Sequence, residues 1–535
     1  AMYNVAVGHN SGSAVTTGIQ NTLIGGLAGD ILTDADYNVA VGVSALGADT
    51  LGSQSTAIGY SALTNQNFTT ATNSVNTAVG YQAGVAVTTG IRNTFIGALA
   101  GDASTDADKN VAVGTDALGG NTVGSRSVAV GDSALIAQNP ATATDMYNTA
   151  VGHGAGSAVT TGVQNTLIGG LAGDALTTGS QNVALGYQSL STDDLGSHNV
   201  AIGANALSDM NFATATDSYN TAVGDQAGLR VTTATENTLI GAAAGDALTV
   251  GNHNVAVGYE ALSGDTKGAK NVAIGRAALQ VQNFTTATDA YNVAVGYGVG
   301  ESITTGLHNT LIGGLAGDAL TDSDENVAIG FNSLSADTLG QKNVAIGKGA
   351  LNIQNFTTAT DSYNTVVGYH AGTSVTTGIY NTFIGGLAGD SNTSGQRNVG
   401  LGLQALDFNT VGDASIAIGV NALRKQNPAT NTDMYNVAVG DEAGAEITTG
   451  LYNTLVGALA GDATDDGAEN TAVGYSSLSN GNCGNGNSSL GASSLFACTG
   501  AYNTAVGVSA GSQITSGSNL NAFGKDAALT GSPGG

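Results

Sequence analysis

One beat of polar, apolar and small positions runs through the chain, a five-residue phrase Asn-(Val/Thr)-Ala-(Val/Ile)-Gly that occurs thirty times between Asn4 and Gly524. Its fourth position is apolar in every copy, from Val7, Ile24, Val41 and Ile58 to Phe523, and its fifth is always glycine. Successive phrases open at Asn4, Asn21, Asn38, Ser55 and Asn76, so four turns of 17, 17, 17 and 21 residues make a 72-residue unit that runs seven times, the seventh closing with a 16-residue turn, with two further turns behind it. A fixed short period with an apolar beat belongs to a stacked fold in which each turn buries its face only against its neighbours. Five residues before a glycine corner are too few for a helix, and Val, Ile and Thr favour strand. The pattern predicts an all-β protein, a parallel β-solenoid (β-roll) of about 30 coils, which at roughly 4.8 Å per coil is a rod on the order of 140 Å long.

Alternation with period two places the second and fourth positions toward a narrow core and Asn, Ala and Gly away from it. Asn opens twenty-six of the thirty copies, with Ser55, Ser127, Ser415 and Leu520 in the others. At a corner of stacked coils such a residue forms a ladder of amides that satisfies turn backbone groups. The glycine marks a corner that needs positive φ or close backbone approach. The regular array covers 1–474, and 475–535 holds less regular coils.

The four turns of a unit differ. The second carries a large residue at the third position, in the row Leu23, Phe95, Leu167, Leu239, Leu311, Phe383 and Leu455, followed by an Ala-Gly-Asp corner at Asp30, Asp102, Asp174, Asp246, Asp318, Asp390 and Asp462. Bulk on a small-residue face once in four turns predicts either a contact row, between chains or against a returning segment, or local gap filling. The fourth turn holds the four extra residues, with Phe68, Phe212, Phe284 and Phe356, or Pro140 and Pro428 in the same place. It usually ends in Asp-x-Tyr, at Tyr147, Tyr219, Tyr291, Tyr363 and Tyr435. Extra residues in a solenoid turn leave as a loop, and a line of such loops makes candidate contact points. The alternative is a Tyr that packs over the previous coil.

Composition narrows the function. Formal net charge is −27, with 13 Lys+Arg against 40 Asp+Glu, so no basic stripe tracks a phosphate backbone and nucleic acid is not an expected partner. No run of eighteen apolar residues predicts a membrane span. The chain opens inside a repeat, Met2-Tyr3-Asn4 matching Met146-Tyr147-Asn148 and Met434-Tyr435-Asn436. Solenoids need capped ends, which points to a piece of a longer protein or to subunits stacking end to end.

Chemistry is sparse, and no enzyme or cofactor is expected. Asp34 and Asp36 with Asp30, or Asp322 and Asp324 with Asp318, have the oxygen density of a Ca²⁺ site, but the equivalent segments after Asp174, Asp246 and Asp390 lack it. The six His are scattered without metal-ligand spacing. Cys483 and Cys498 are the only cysteines, and adjacent coils would bring them close. They read as a disulfide stapling the end of the array in an oxidising, extracellular setting, or as two free thiols.

The phrases Ser127–Gly131 (SVAVG), Ser415–Gly419 (SIAIG) and the many NVAIG copies resemble the head repeats of YadA-like trimeric autotransporter adhesins. An Ala at a fixed offset, as in Gly80-Tyr81-Gln82-Ala83, and a Gly shortly before the next Asn, as Gly90 before Asn93, are similar too. The NTAVGYQAG-type repeats also look like those of bacteriophage tail-fibre and other bacterial surface proteins. The resemblance implies a left-handed parallel β-roll filled by the Val/Ile pair, with the small Ala face allowing three rolls to approach. It implies a non-enzymatic, extracellular adhesive or structural fibre segment at a cell surface, self-associated as a trimer or an end-to-end filament, with a host ligand that no motif identifies. The alternative is a receptor-binding segment of a virion tail.

Overall fold

Each phrase folds as a three-residue strand, from Val5–Val7 to Asn521–Phe523, and the residues after it turn back until the next phrase begins. The computed structural model describes residues 2–527, and none of them is helical. Ala1 and residues 528–535, the end of the segment predicted as less regular coils, lie outside the described residues. The chain divides into two compact units, Ala1–Ala269 with Thr285–Thr288, and Lys270–Phe284 with Asp289–Gly535. In each, fifteen phrase strands stack in parallel. Pairing is in step: Val5 faces Thr22, Ala6 faces Leu23 and Val7 faces Ile24, and the same register holds at Val293–Thr310. Each unit is a β-solenoid, as the period predicts.

The faces of the strand are reversed from the expectation. The third position points inward: Ala40, Ala57, Ala78 and their equivalents from Leu23 onward are buried, whereas Ile24 and Ile58 are 38% exposed. Asn is also inside, fully buried at Asn21, Asn38 and Asn165. The coil is so thin that its interior admits mostly methyl groups, and Val or Ile at every inward position would overfill it. Asn supplies backbone partners there. Asn148 Oδ1 accepts the Asn165 N–H at 2.9 Å, and Asn165 Nδ2 donates to the Gly179 carbonyl at 2.9 Å. The ladder thus links side chain to backbone across coils.

The row Leu23, Phe95, Leu167, Leu239, Leu311, Phe383 and Leu455 is the core itself, 0–1% exposed within a single chain, and so is no contact row between chains. Its room comes from the corner glycines. A Cβ on Gly84 would lie 2.9 Å from Phe95 Cδ2 and 3.0 Å from Leu63 Cδ2, and one on Gly101 would lie 2.5 Å from Phe95 Cε1. First and second turns therefore put Gly where third and fourth turns put Leu46, Leu63, Leu118 and Leu135, all buried at φ near +50°. Bulk alternates between the strand and the corner. Phe383 takes further room from Gly400, whose Cβ would sit 3.1 Å from the ring.

The phrase glycine is fixed by its neighbours in the stack. Gly169 has φ +139°, and a Cβ there would lie 2.3 Å from the carbonyl oxygen of Gly186 one coil on. Gly169→Ala should therefore cost on the order of 3 kcal/mol, seen as a lowered Tm in circular dichroism. An unchanged Tm would mean that the coils can separate without loss.

Candidate interaction face

Because the third position is inward, the second and fourth form the outer face of each sheet. In thirty copies neither position ever holds a charged residue: the second is Val, Thr, Ile, Ser or Asn, and the fourth is Val, Ile, Leu or Phe. The face is half-exposed, with Ile24, Ile96, Ile240, Ile312 and Ile384 at 37–39%.

Two columns border it, the residue before the Asn and the residue after the Gly. All 17 tyrosines of the chain stand in them. Ten precede the Asn, among them Tyr37, Tyr147 and Tyr380, and seven follow the Gly, among them Tyr60, Tyr81 and Tyr187. All are at least 48% exposed. The column before the Asn is left-handed, at φ +52° for Tyr147 and +60° for Tyr380. A Tyr at that φ is uncommon, so packing alone is a poor account of ten of them. Sequence reasoning noticed the Asp-x-Tyr group and missed the columns, although all 17 positions beside the phrase were legible in register.

Four of those five tyrosines pack on the previous coil, the second of the two alternatives, whereas Tyr435 stacks on Tyr452 of the following coil at 5.7 Å. Arg126 lies over the Tyr147 ring at 5.4 Å, donates to its hydroxyl and pairs with Asp145 at 3.1 Å. Lys270 donates to Asp289 at 2.6 Å and to Tyr291 at 2.9 Å, and Lys342 repeats this with Asp361 and Tyr363. His198 stacks on Tyr219 at 4.9 Å and meets Asp217 at 3.1 Å. Tyr435 donates to Asp433 at 3.0 Å, and that hydrogen bond raises the phenol's pKa. At Tyr147, Tyr219, Tyr291 and Tyr363 the Asp-x-Tyr spacing thus brings a carboxylate and a ring to one basic side chain of the previous coil.

The fourth-turn insertion does not carry its phenylalanines outward. Phe68, Phe212, Phe284 and Phe356 are 5–7% exposed. The extra residues make a second strand, Thr72–Asn73, parallel to Gly52–Ser53 of the turn before. The ring covers the glycine of that strand, a Cβ on Gly52 falling 2.8 Å from Phe68 Cδ2. The tip, Thr69, Thr70 and Ala71, stands in solvent, and Asn67 and Asn73 on either side of it are exposed too. Where Pro140 or Pro428 replaces Phe, the buried Met146 or Met434 accompanies it.

Beneath the insertion runs a buried polar pair that sequence reasoning missed. Asp49 Oδ1 accepts the Gly52 N–H at 3.0 Å, and Gln66 Nε2 donates to Asp49 Oδ2 at 2.6 Å. Asp337 and Gln354 repeat it, and Asn121 stands at the same position over Gln138. At Asp193 the glutamine is replaced by Met210. The carboxylate is fully buried, its Oδ2 has no hydrogen-bond partner, and burial pushes its pKa up to about 6.

Burial likewise raises the Ala-Gly-Asp carboxyls of Asp102, Asp174, Asp246, Asp318, Asp390 and Asp462. Asp34 and Asp36 act within the stack: Thr17 Oγ1 donates to Asp34, and Asp36 Oδ1 accepts the Ile19 N–H at 2.8 Å. Among the described residues no group of three His, Cys, Asp or Glu gathers as metal ligands, and no helix is long and apolar enough to cross a membrane.

Cys483 and Cys498 are buried neighbours present as thiols and not as a disulfide. Cys483 Sγ donates to the Cys498 carbonyl at 2.9 Å, and Asn503 Nδ2 donates to Cys498 Sγ at 3.4 Å, so each sulfur is held by a polar partner. The neighbouring Cys498 side chain, with burial, raises the Cys483 thiol, and the neighbouring Cys483 draws Cys498 down to about 7. No family model matches the chain, and no curated protein matches it.

Proposed function

We propose that this chain is a non-enzymatic structural segment of an extracellular fibre that associates with further copies of itself through the outer sheet face. The observation that carries this is the absence of charge from sixty outward strand positions, two in each of thirty phrases, in a chain of net charge −27. The net negative charge of two such chains opposes their association, and the uncharged face is where that repulsion is least. A second copy also has the same coil pitch, so each half-exposed Val or Ile meets an equivalent, and many small contacts add. Tyr and Arg at the borders are residue types enriched at protein interfaces. An adhesive role at a cell surface is the form of this function that the repeats favour.

Sedimentation velocity over a range of concentrations tests it. The parent should associate, and the triple variant Thr166→Glu, Ile168→Glu, Ile202→Glu should shift toward monomer with its β-signal retained. A parent that stays monomeric at the highest concentration reached rules the proposal out.

A further inference from the structure

Among the described residues, three pairs of tyrosines on adjacent coils lie ring on ring. The centroids are 5.5 Å apart for Tyr60 and Tyr81, 5.9 Å for Tyr363 and Tyr380, and 5.7 Å for Tyr435 and Tyr452, with interplanar angles of 11°, 15° and 13°. All six rings are 48–53% exposed. Tyr435 donates its phenolic proton to Asp433 at 3.0 Å, and Tyr363 donates to Asp361 at 3.4 Å.

The geometry points to these pairs as sites of oxidative dityrosine cross-linking, a covalent modification that joins one coil to the next. The co-reactant is a one-electron oxidant of the peroxidase class supplied with hydrogen peroxide. Each phenol gives one electron to the oxidant and its proton to solvent or, at Tyr435 and Tyr363, to the adjoining carboxylate. The two ring radicals join by a carbon–carbon bond ortho to the oxygens. The two ortho hydrogens then move to those oxygens and restore both phenols. One peroxide takes up the two electrons and two protons and becomes two waters.

Three physical features favour this coupling over reaction elsewhere. Exposure lets an oxidant reach the rings. Holding two reacting groups side by side turns a bimolecular encounter into an intramolecular one, with effective concentrations far above those of free partners. A carboxylate at hydrogen-bond distance accepts the proton as the electron leaves, which is the geometry that general-base assistance requires. Rings stacked on other side chains lack the second phenol: Tyr219 lies on His198, and Tyr147 lies under Arg126. The cross-link would close loops between residues 60 and 81, 363 and 380, and 435 and 452, stapling three coil interfaces against separation. The inference does not depend on self-association, because each pair lies within one chain.

The test treats the full chain, at a concentration low enough to suppress links between molecules, with horseradish peroxidase and a limiting amount of hydrogen peroxide. Dityrosine fluorescence and peptide mass spectrometry are the readouts. The expected result is product at monomer size on a denaturing gel, with linked peptides spanning the three pairs and two hydrogens lost per link. The variant Tyr81→Phe, Tyr380→Phe, Tyr452→Phe should keep the parent's circular dichroism spectrum and lose most of the dityrosine. The control Tyr187→Phe, Tyr219→Phe, Tyr475→Phe should keep it. Absence of dityrosine in the parent, links spread over all the tyrosines, or undiminished product in the first variant would overturn the proposal.

Discussion

Leu167→Asp should remove the cooperative melting of the coils around it, a loss of about 4 kcal/mol or more, while Ile168→Asp one residue on should cost under about 1 kcal/mol. Leu167 is 0% exposed, and its side chain fills the space left open by the absent Cβ atoms of Gly156 and Gly173, at 2.7 and 2.8 Å. A carboxylate there loses its water and meets only carbon. Ile168 lies on the outer face, where a charge stays solvated and disturbs only its neighbours along the column. Thermal melts of the two variants side by side decide the matter. Equal losses would mean that the strand has no distinct inner and outer face, and a larger loss for Ile168→Asp would reverse the assignment.

The second expectation is a gain. Asp193→Asn should raise stability at neutral pH by up to about 3 kcal/mol. The Asp193 pKa is raised in the folded state to about 6, against about 4 unfolded, so the fold binds a proton that the unfolded chain releases. Stability therefore falls as pH rises from about 4 to about 6, and it is flat above that. The asparagine variant should lack this slope. Asn121 and Asn409 show how it would sit: Asn121 Nδ2 donates to the Gly124 carbonyl at 2.7 Å, and its Oδ1 accepts the Gly124 N–H at 3.0 Å. Met210→Gln should recover part of the gain by restoring the donor that Gln66 gives Asp49. Denaturant titrations at pH 4 and 7 measure both, and a parent whose stability is the same at the two values would remove the basis for the prediction.

The period, the strand at each phrase and the parallel stacking were all legible, because a 17-residue interval with one apolar beat and one glycine has a single compact solution. Which face is inward was not. Period two fixes that neighbours oppose each other and is silent on which of the two sets is buried, and the usual preference for burying Val and Ile over Ala chose wrongly. The coil's diameter decides it, and that diameter follows from the left-handed residues at each corner, four in the coil of Asn21 alone: Gln20, Gly25, Leu27 and Gly29. The same reversal moved Leu23 and its equivalents from surface to core. Phe68 was taken for an outward group because four extra residues must leave the coil, but an unpaired strand edge at Gly52–Ser53 gave them somewhere to return.

Alternation of bulk between strand and corner also governs how the gene can change length. A first turn always separates the corner leucine of a fourth turn from the strand leucine or phenylalanine of a second, as Gly84 does between Leu63 and Phe95. Recombination that adds or removes whole 72-residue units joins a fourth turn to a first, as at every existing boundary, and creates no new interface. Loss of a single first turn would drive two bulky side chains into one space. Phe95 and Phe383, Asn121 and Asn409, Pro140 and Pro428, and Met146 and Met434 are each 288 residues apart, four units of 72. That echo is the trace expected of a block duplication, the one kind of genetic accident that this packing leaves invisible to folding.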